Sequence, residues 1–190
     1  MRSVRSARNF LPLLAVTGTL LLPSLVRAHP DGGLLPDAVA EMEYRMVVDL
    51  NPRDIATRNK LGIVLYRKGK LKEAQQEFGA VLKLASRDFD AHDGMGLVRL
   101  KERRYDEAVA WFNRAIALRP DDTMVHYNLG YTYEQMGRLR EARACYERSL
   151  GLSDAALRRG TNRQLEETRH ATILASLRGV RERTGAPARK

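Results

Sequence analysis

The chain has 190 residues with 33 Lys+Arg against 23 Asp+Glu and a hydrophobic content of 44%, enough for one packed domain. Basicity sits at the ends: residues 1–28 hold four Arg and no acid, residues 157–190 hold nine basic and three acidic residues, and residues 29–156 balance to zero. A neutral middle excludes a nucleic-acid-binding surface there, and a single cysteine, Cys145, excludes an intramolecular disulfide and a Cys-based metal site.

The first element is a targeting segment. Arg2, Arg5 and Arg8 precede the uncharged run LLAVTGTLLL between Pro12 and Pro23, and Val26-x-Ala28 supplies a small-x-small pattern. This is the layout of a secretory signal peptide over residues 1–28, with cleavage after Ala28 and a mature N-terminus at His29. An exported, periplasmic or secreted protein is expected. The alternative is a membrane anchor: the charge-free stretch Asn9–Val26 is 18 residues long with two prolines, against about 20 apolar residues for a spanning helix. Residues 29–36 read as a flexible leader.

From there a period of 34 organises the chain. Glycine recurs at 62, 96 and 130, alanine at 74, 108 and 142, and an aromatic at Phe78, Phe112 and Tyr146; Leu61, Met95 and Leu129 precede the glycines. Three repeats of a helix A–turn–helix B unit follow: Ile55–Asp88, Phe89–Asp122 and Thr123–Ala156. Gly69 and Gly137 are positioned to stop the A helices in a left-handed conformation, with Arg103 at the equivalent place in the second repeat. Asp88 and Asp121 or Asp122 are candidate N-caps. The aromatics are expected to fill the gap between one hairpin and the next. Thirty-four residues before Ala74, Phe78 and Val81 stand Ala40, Tyr44 and Val47, so residues 37–54 read as helix B of an incomplete preceding repeat.

After Ala156 the register fails. Thr161-x-x-Gln164 is a capping-box pattern, and Ile173, Leu174, Leu177 and Val180 recur at helical spacing. Residues 157–183 are expected to hold a helix, Thr161–Arg183, that covers the last repeat, with His170 solvated and a disordered tail over 184–190.

These residues resemble the tetratricopeptide repeat (TPR) family over about residues 37–156, most closely in HYNLGYTYEQMGRLREARACYERSL of the third repeat. Departures are Arg58, His92 and His126 at the usual Trp site, Arg99 at the aromatic site of helix A, and Val81 and Ser149 for Ala. The resemblance implies an all-α, right-handed solenoid of antiparallel helix pairs whose A helices line a concave groove for a protein or peptide partner. Transferred residue by residue, the groove comprises Ala56, Asn59, Ile63, Tyr66 and Arg67 from the first repeat. It continues with Asp90, Asp93, Leu97, Leu100 and Lys101, then Met124, Tyr127, Tyr131, Glu134 and Gln135. Tyrosine and leucine at its centre suit a peptide or helix, and Asp90 and Asp93 suit a basic partner. The positions at which chaperone-binding TPRs place a carboxylate clamp hold Asn59, Ile63, Gly94, Met124 and Asn128, without the cations. Phosphate loops, metal-ligand clusters and nucleophile–base pairs are missing, so a non-enzymatic adaptor without cofactor or metal is expected. His92 and His126 read as bulky spacers. Two alternatives stand beside the exported adaptor: a membrane-anchored assembly factor, and a binder of anionic surfaces through the basic C-terminal tail.

Overall fold

The computed structural model describes residues 36–160 and 162–185. The signal peptide, most of the leader and the last five residues lie outside them. Eight α-helices follow in order: α1 (Asp37–Leu50), α2 (Ile55–Arg67), α3 (Leu71–Leu84), α4 (Phe89–Lys101), α5 (Tyr105–Leu118), α6 (Thr123–Gln135), α7 (Leu139–Arg159) and α8 (Arg163–Thr184). Each packs on its neighbours in the chain, and the A-type helices α2, α4, α6 and α8 also touch in succession. The result is an all-α solenoid of helix pairs. No described helix is long and apolar enough to cross a membrane. The anchor expectation concerns residues 9–26, outside the described part.

The repeat boundaries are built from local chemistry. Asp54, Asp88 and Asp122 each accept a backbone N–H of the following turn, from Thr57, Ala91 and both Met124 and Val125. Such a cap is worth about 1 kcal/mol. Each A helix ends in a left-handed residue, Gly69 (φ 76), Arg103 (φ 61) or Gly137 (φ 73). The next N–H then reaches back five residues: Lys70 to Leu65 O, Arg104 to Arg99 O and Arg138 to Tyr133 O, each at 2.9 Å. This is the bonding pattern that turns a helix sharply.

Phe78, Phe112 and Tyr146 are completely buried. Each lies on the glycine of its own repeat: Phe78 on Gly62, Phe112 on Gly96, Tyr146 on Gly130. Phe78 also lies on Gly94 of the next repeat, so it fills the gap between hairpins. The corresponding residue after Phe112 is Asn128, not glycine.

The unusual residues at the Trp site share one function. Arg58 Nε donates to Pro52 O at 2.7 Å, and His92 and His126 place Nε2 at 3.0 and 2.9 Å from Ser86 O and Pro120 O. All three bind a carbonyl six residues upstream, tying the inter-repeat loop to the A helix. Arg99 is buried and bridged to Glu102, Glu107 and Gln75. Ser149 donates to Thr123 O at 2.8 Å across to α6.

The C-terminal end departs from expectation. Helix α7 continues past Ala156 to Arg159 and stops only at Gly160 (φ 74). No glycine or proline intervenes between Gly151 and Gly160, so nothing in the sequence breaks the helix earlier. The expected capping box involves Thr161 and so falls outside the described residues. Helix α8 starts at Arg163 after a left-handed Asn162 that makes no side-chain cap, with Gln164 already in the first turn. Ile173, Leu177 and Val180 share one buried face of α8, whereas Leu174, about 100° round the helix from Ile173, is exposed. His170 is half-buried, with its Nδ1 3.4 Å from Asp154 Oδ1 of α7.

Candidate functional site: the A-helix groove

The surface shared by α2, α4 and α6 is closed at both ends by the protein itself. At the N-terminal end Arg67 pairs with Asp37 of α1. Asn59 is buried, and its Nδ2 donates to Asp88 Oδ1 at 2.9 Å. It therefore braces the N-cap of α4 and is not available to a ligand, a correction to its place in the expected groove. At the C-terminal end α8 lies along α6. Tyr127 Oη is 3.4 Å from Ser176 Oγ, and Glu134 accepts from Tyr146 Oη at 2.6 Å and pairs with Arg183. Met124 and Tyr127 line a cleft of ≈ 80 Å³ with Thr168, Arg169, Thr172 and Ile173 of α8. Met124, Tyr127 and Glu134 thus belong to the contact with the cap, not to an open groove. The sequence reading missed Asp37, Ser176 and Arg183, whose roles depend on how the terminal helices dock.

Between these ends lies a strip of Ile63, Tyr66, Asp93, Leu97, Lys101 and Tyr131. Ile63, Tyr66, Asp93 and Leu97 are half-buried; Lys101 and Tyr131 are exposed. Lys101 crosses from α4 to α2, with Nζ 4.7 Å from the Tyr66 ring centre and 3.1 Å from Tyr66 O. A cation held over an aromatic face is worth about 0.5–1 kcal/mol at an exposed site. Burial, then the charge of Asp93 and the neighbouring Tyr131, raise the Tyr66 phenol above its usual range. Leu100 packs inward with Leu97 against the core around Phe112. Ala56, Asp90 and Gln135 are exposed, and Asp90 stands 3.9 Å from Arg119.

Asp93 is the unusual group of the strip. It occupies the place in α4 that Asn59 holds in α2, one period earlier. Asn59 donates to the capping carboxylate Asp88, but Asp93 faces the capping carboxylate Asp122. Burial pushes its pKa up to about 7, a hydrogen bond from Asn128 Nδ2 at 3.3 Å opposes the rise, and Asp122 and Asp90 add to it. At neutral pH this carboxyl is poised between charged and neutral forms.

Cys145 is half-buried in α7, and burial pushes its thiol up to about 11. Little thiolate forms at neutral pH, which slows any intermolecular disulfide. Among the described residues no group of three His, Cys, Asp or Glu is arranged to hold a metal ion.

The helix pairs, the 34-residue period and the small-residue contacts define a TPR-type solenoid, a class built for recognition across an array. Residues 96–137 match the family described as TPR repeat, and residues 124–153 match the family described as Tetratricopeptide repeat. No curated protein matches the chain by sequence. Among solved structures, PcrH in complex with the chaperone binding region of PopD is similar at 20% identity and a TM-score of 0.58, over 79% of this chain and 96% of that one. The type III secretion chaperone SycD of Yersinia enterocolitica, in complex with a peptide of the translocator YopD, gives 18%, 0.58, 67% and 92%. MamA from Desulfovibrio magneticus RS-1, residues 41 to the end, gives 22%, 0.56, 77% and 84%. At these identities the likeness is one of fold.

Proposed function

We propose that this chain is an exported adaptor that holds a peptide or helix of another protein in its A-helix groove. The carrying observation is the strip itself: Ile63, Tyr66, Leu97 and Tyr131 remain accessible between ends already occupied by α1 and α8. Apolar and aromatic groups there are flanked by one cation, Lys101, and one tunable acid, Asp93. Two of the similar solved structures, PcrH and SycD, hold a partner segment, which supports a proteinaceous ligand. Export rests on Arg2, Arg5 and Arg8, the apolar run and Val26-x-Ala28. Delivery to the cell envelope places the partner there, consistent with a role in assembling an envelope complex. The basic C-terminal region serves first as a cap, because Arg181 and Arg183 are engaged with Glu147 and Glu134.

The test is capture from an envelope extract by the wild-type protein, by Tyr131→Ala with Leu97→Ala, and by Arg148→Ala on the B-helix face. Buried anchors at such interfaces cost about 2 kcal/mol or more each when truncated. The double variant is expected to lose its partner with its helical circular dichroism retained, and the Arg148 variant to bind normally. Loss of binding with Arg148→Ala alone would move the working surface to the B helices. Processing is checked separately by mass spectrometry: a mature N-terminus at His29 supports a released, exported adaptor, and an intact Met1 in the membrane pellet overturns the released form in favour of an anchored one.

A further inference from the structure

The middle of the A-helix groove holds an acid for which the described residues supply no opposite charge. Asn59, Asp93 and Tyr127 occupy equivalent places in α2, α4 and α6, 34 residues apart. The first is engaged by Asp88 at 2.9 Å, and the third lies 3.4 Å from Ser176 of α8. Asp93 is half-buried, and among the described residues its hydrogen-bond partner is the neutral Asn128, whose Nδ2 donates to Oδ1 at 3.3 Å. The other carboxylate oxygen is neither bonded within the described residues nor sealed from solvent.

The surroundings do not supply the missing charge. Asp122 and Asp90 act on Asp93 more strongly than the cation Arg119 does. Arg119 lies over the Phe89 ring, 3.8 Å from its centre, and stands 3.9 Å from Asp90. Lys101 is two helical turns further along α4, about 12 Å, and is bonded to Tyr66 O. The rest of the strip is uncharged: Ile63 and Tyr66 on α2, Leu97 on α4 and Tyr131 on α6.

We propose, resting on the groove function argued above, that Asp93 is the specificity-determining residue of the groove and receives the ammonium or guanidinium of a Lys or Arg in the partner segment. A carboxylate partly withdrawn from water and set among other carboxylates is costly to ionise, and a ligand cation offsets that cost by bringing the absent charge. The apolar strip around it suits the aliphatic stem of either side chain. An acidic side chain at the same place meets three like charges and is rejected. The A helices on either side are about 8–10 Å away, or about two or three residues of extended chain. The recognised pattern is therefore one basic residue with an apolar residue about two or three positions to each side.

Protons compete for the same carboxylate. With its pKa pushed up to about 7, Asp93 is mostly neutral at pH 6 and mostly charged at pH 8, so a cationic segment binds more weakly as pH falls. The other charged or titratable groups around it are Tyr66 on α2, Asp90 on its own helix, Arg119 and Asp122 on the turn between α5 and α6, and Tyr131 on α6. Replacing Asp93 by Asn separates its titration from theirs.

The test screens random displayed peptides of about eight residues, slightly longer than the strip, against the full-length gene product in the processed form the cell leaves it. Peptides that bind the wild type but not Tyr131→Ala with Leu97→Ala are the groove binders. They are expected to share one Lys or Arg between apolar residues. Replacing that residue by norleucine should weaken binding about tenfold. Asp93→Asn should weaken the basic peptide by about the same factor and leave the norleucine peptide unchanged, with the helical circular dichroism retained. On the wild type the basic peptide should bind about tenfold more weakly at pH 6 than at pH 8, and this difference should vanish in Asp93→Asn. Groove binders without a basic residue, or a basic peptide that Asp93→Asn holds as tightly as the wild type, overturn this inference and leave the groove function standing. A screen that yields no groove binder overturns the groove function, and the assignment of Asp93 falls with it.

Discussion

The glycines divide into two groups for which the same substitution has opposite consequences. Gly62 and Gly94 lie on either side of the Phe78 ring. A Cβ at Gly62 would stand 2.6 Å from Phe78 Cε1, and one at Gly94 would meet Cζ more closely still. Carbon atoms rest at about 3.5–4.0 Å, so each contact is short by about 1 Å. Phe78 is completely buried and wedged between two helices, so it cannot swing clear. Forcing extra volume into such a site costs about 1–3 kcal/mol, occasionally more. Alanine in a helix returns about 1 kcal/mol over glycine. For Gly94→Ala, with glycine-only space on both faces of the ring, the clash wins by up to about 2 kcal/mol. At about 2–4 °C per kcal/mol, the melting temperature should fall by up to about 8 °C. Gly79 in α3 is the control. Nothing lies within 4 Å of its virtual Cβ, so Gly79→Ala should stabilise by about 0.5–1 kcal/mol. Urea unfolding of both variants reads the signs. Adding Phe78→Leu to Gly94→Ala should recover part of the loss, a coupling that a double-mutant cycle isolates. If Gly94→Ala stabilised the protein as Gly79→Ala does, the ring would not sit between those helices and the packing argument would fail.

Two further outcomes follow from single residues. Arg103 holds a left-handed backbone that costs an L-residue about 1–2 kcal/mol, so Arg103→Gly should raise the melting temperature by a few degrees despite the added flexibility of glycine in the unfolded chain; a lower one would show that the Arg103 side chain contributes more than its backbone costs. For Asp93 the folded-state pKa, about 7, lies above the ordinary carboxylate value, so the folded protein holds the proton more tightly than the unfolded chain. Its contribution to stability is greatest below about pH 4 and is lost as pH rises to about 7. Asp93→Asn should flatten that slope and stabilise the protein at pH 8 more than at pH 5, in thermal melts at both; an unchanged slope would show that Asp93 is well solvated.

Much of the fold was written in the period of 34. Each glycine–aromatic pair is a contact between helices of one repeat, so its recurrence reports packing as directly as any side-chain property does. Asp88 and Asp122 were legible as caps because capping is local. Asn59 was not legible as a brace, because its partner Asp88 is 29 residues away and faces it only once two hairpins stack. The ends of the groove were hidden for the same reason. Met124, Tyr127 and Glu134 occupy positions that are open in a continuing array, and only the docking of α8 covers them. That docking depends on α7 running to Gly160, which the lack of a breaker after Gly151 signals and the repeat register obscures.

The cap also acts as a length gauge. By lying on α6, helix α8 covers one end of the proposed recognition surface, and the Arg67–Asp37 pair lies at the other. What remains spans the steps between three A helices, about 20 Å at 8–10 Å per step. A chain laid along it in extended form fits about six residues at 3.3 Å each. Under the proposed function, a partner segment much longer than that would have to bend away at Tyr131 or lift α8 from its seat, so the terminal helix would set how much of it is read.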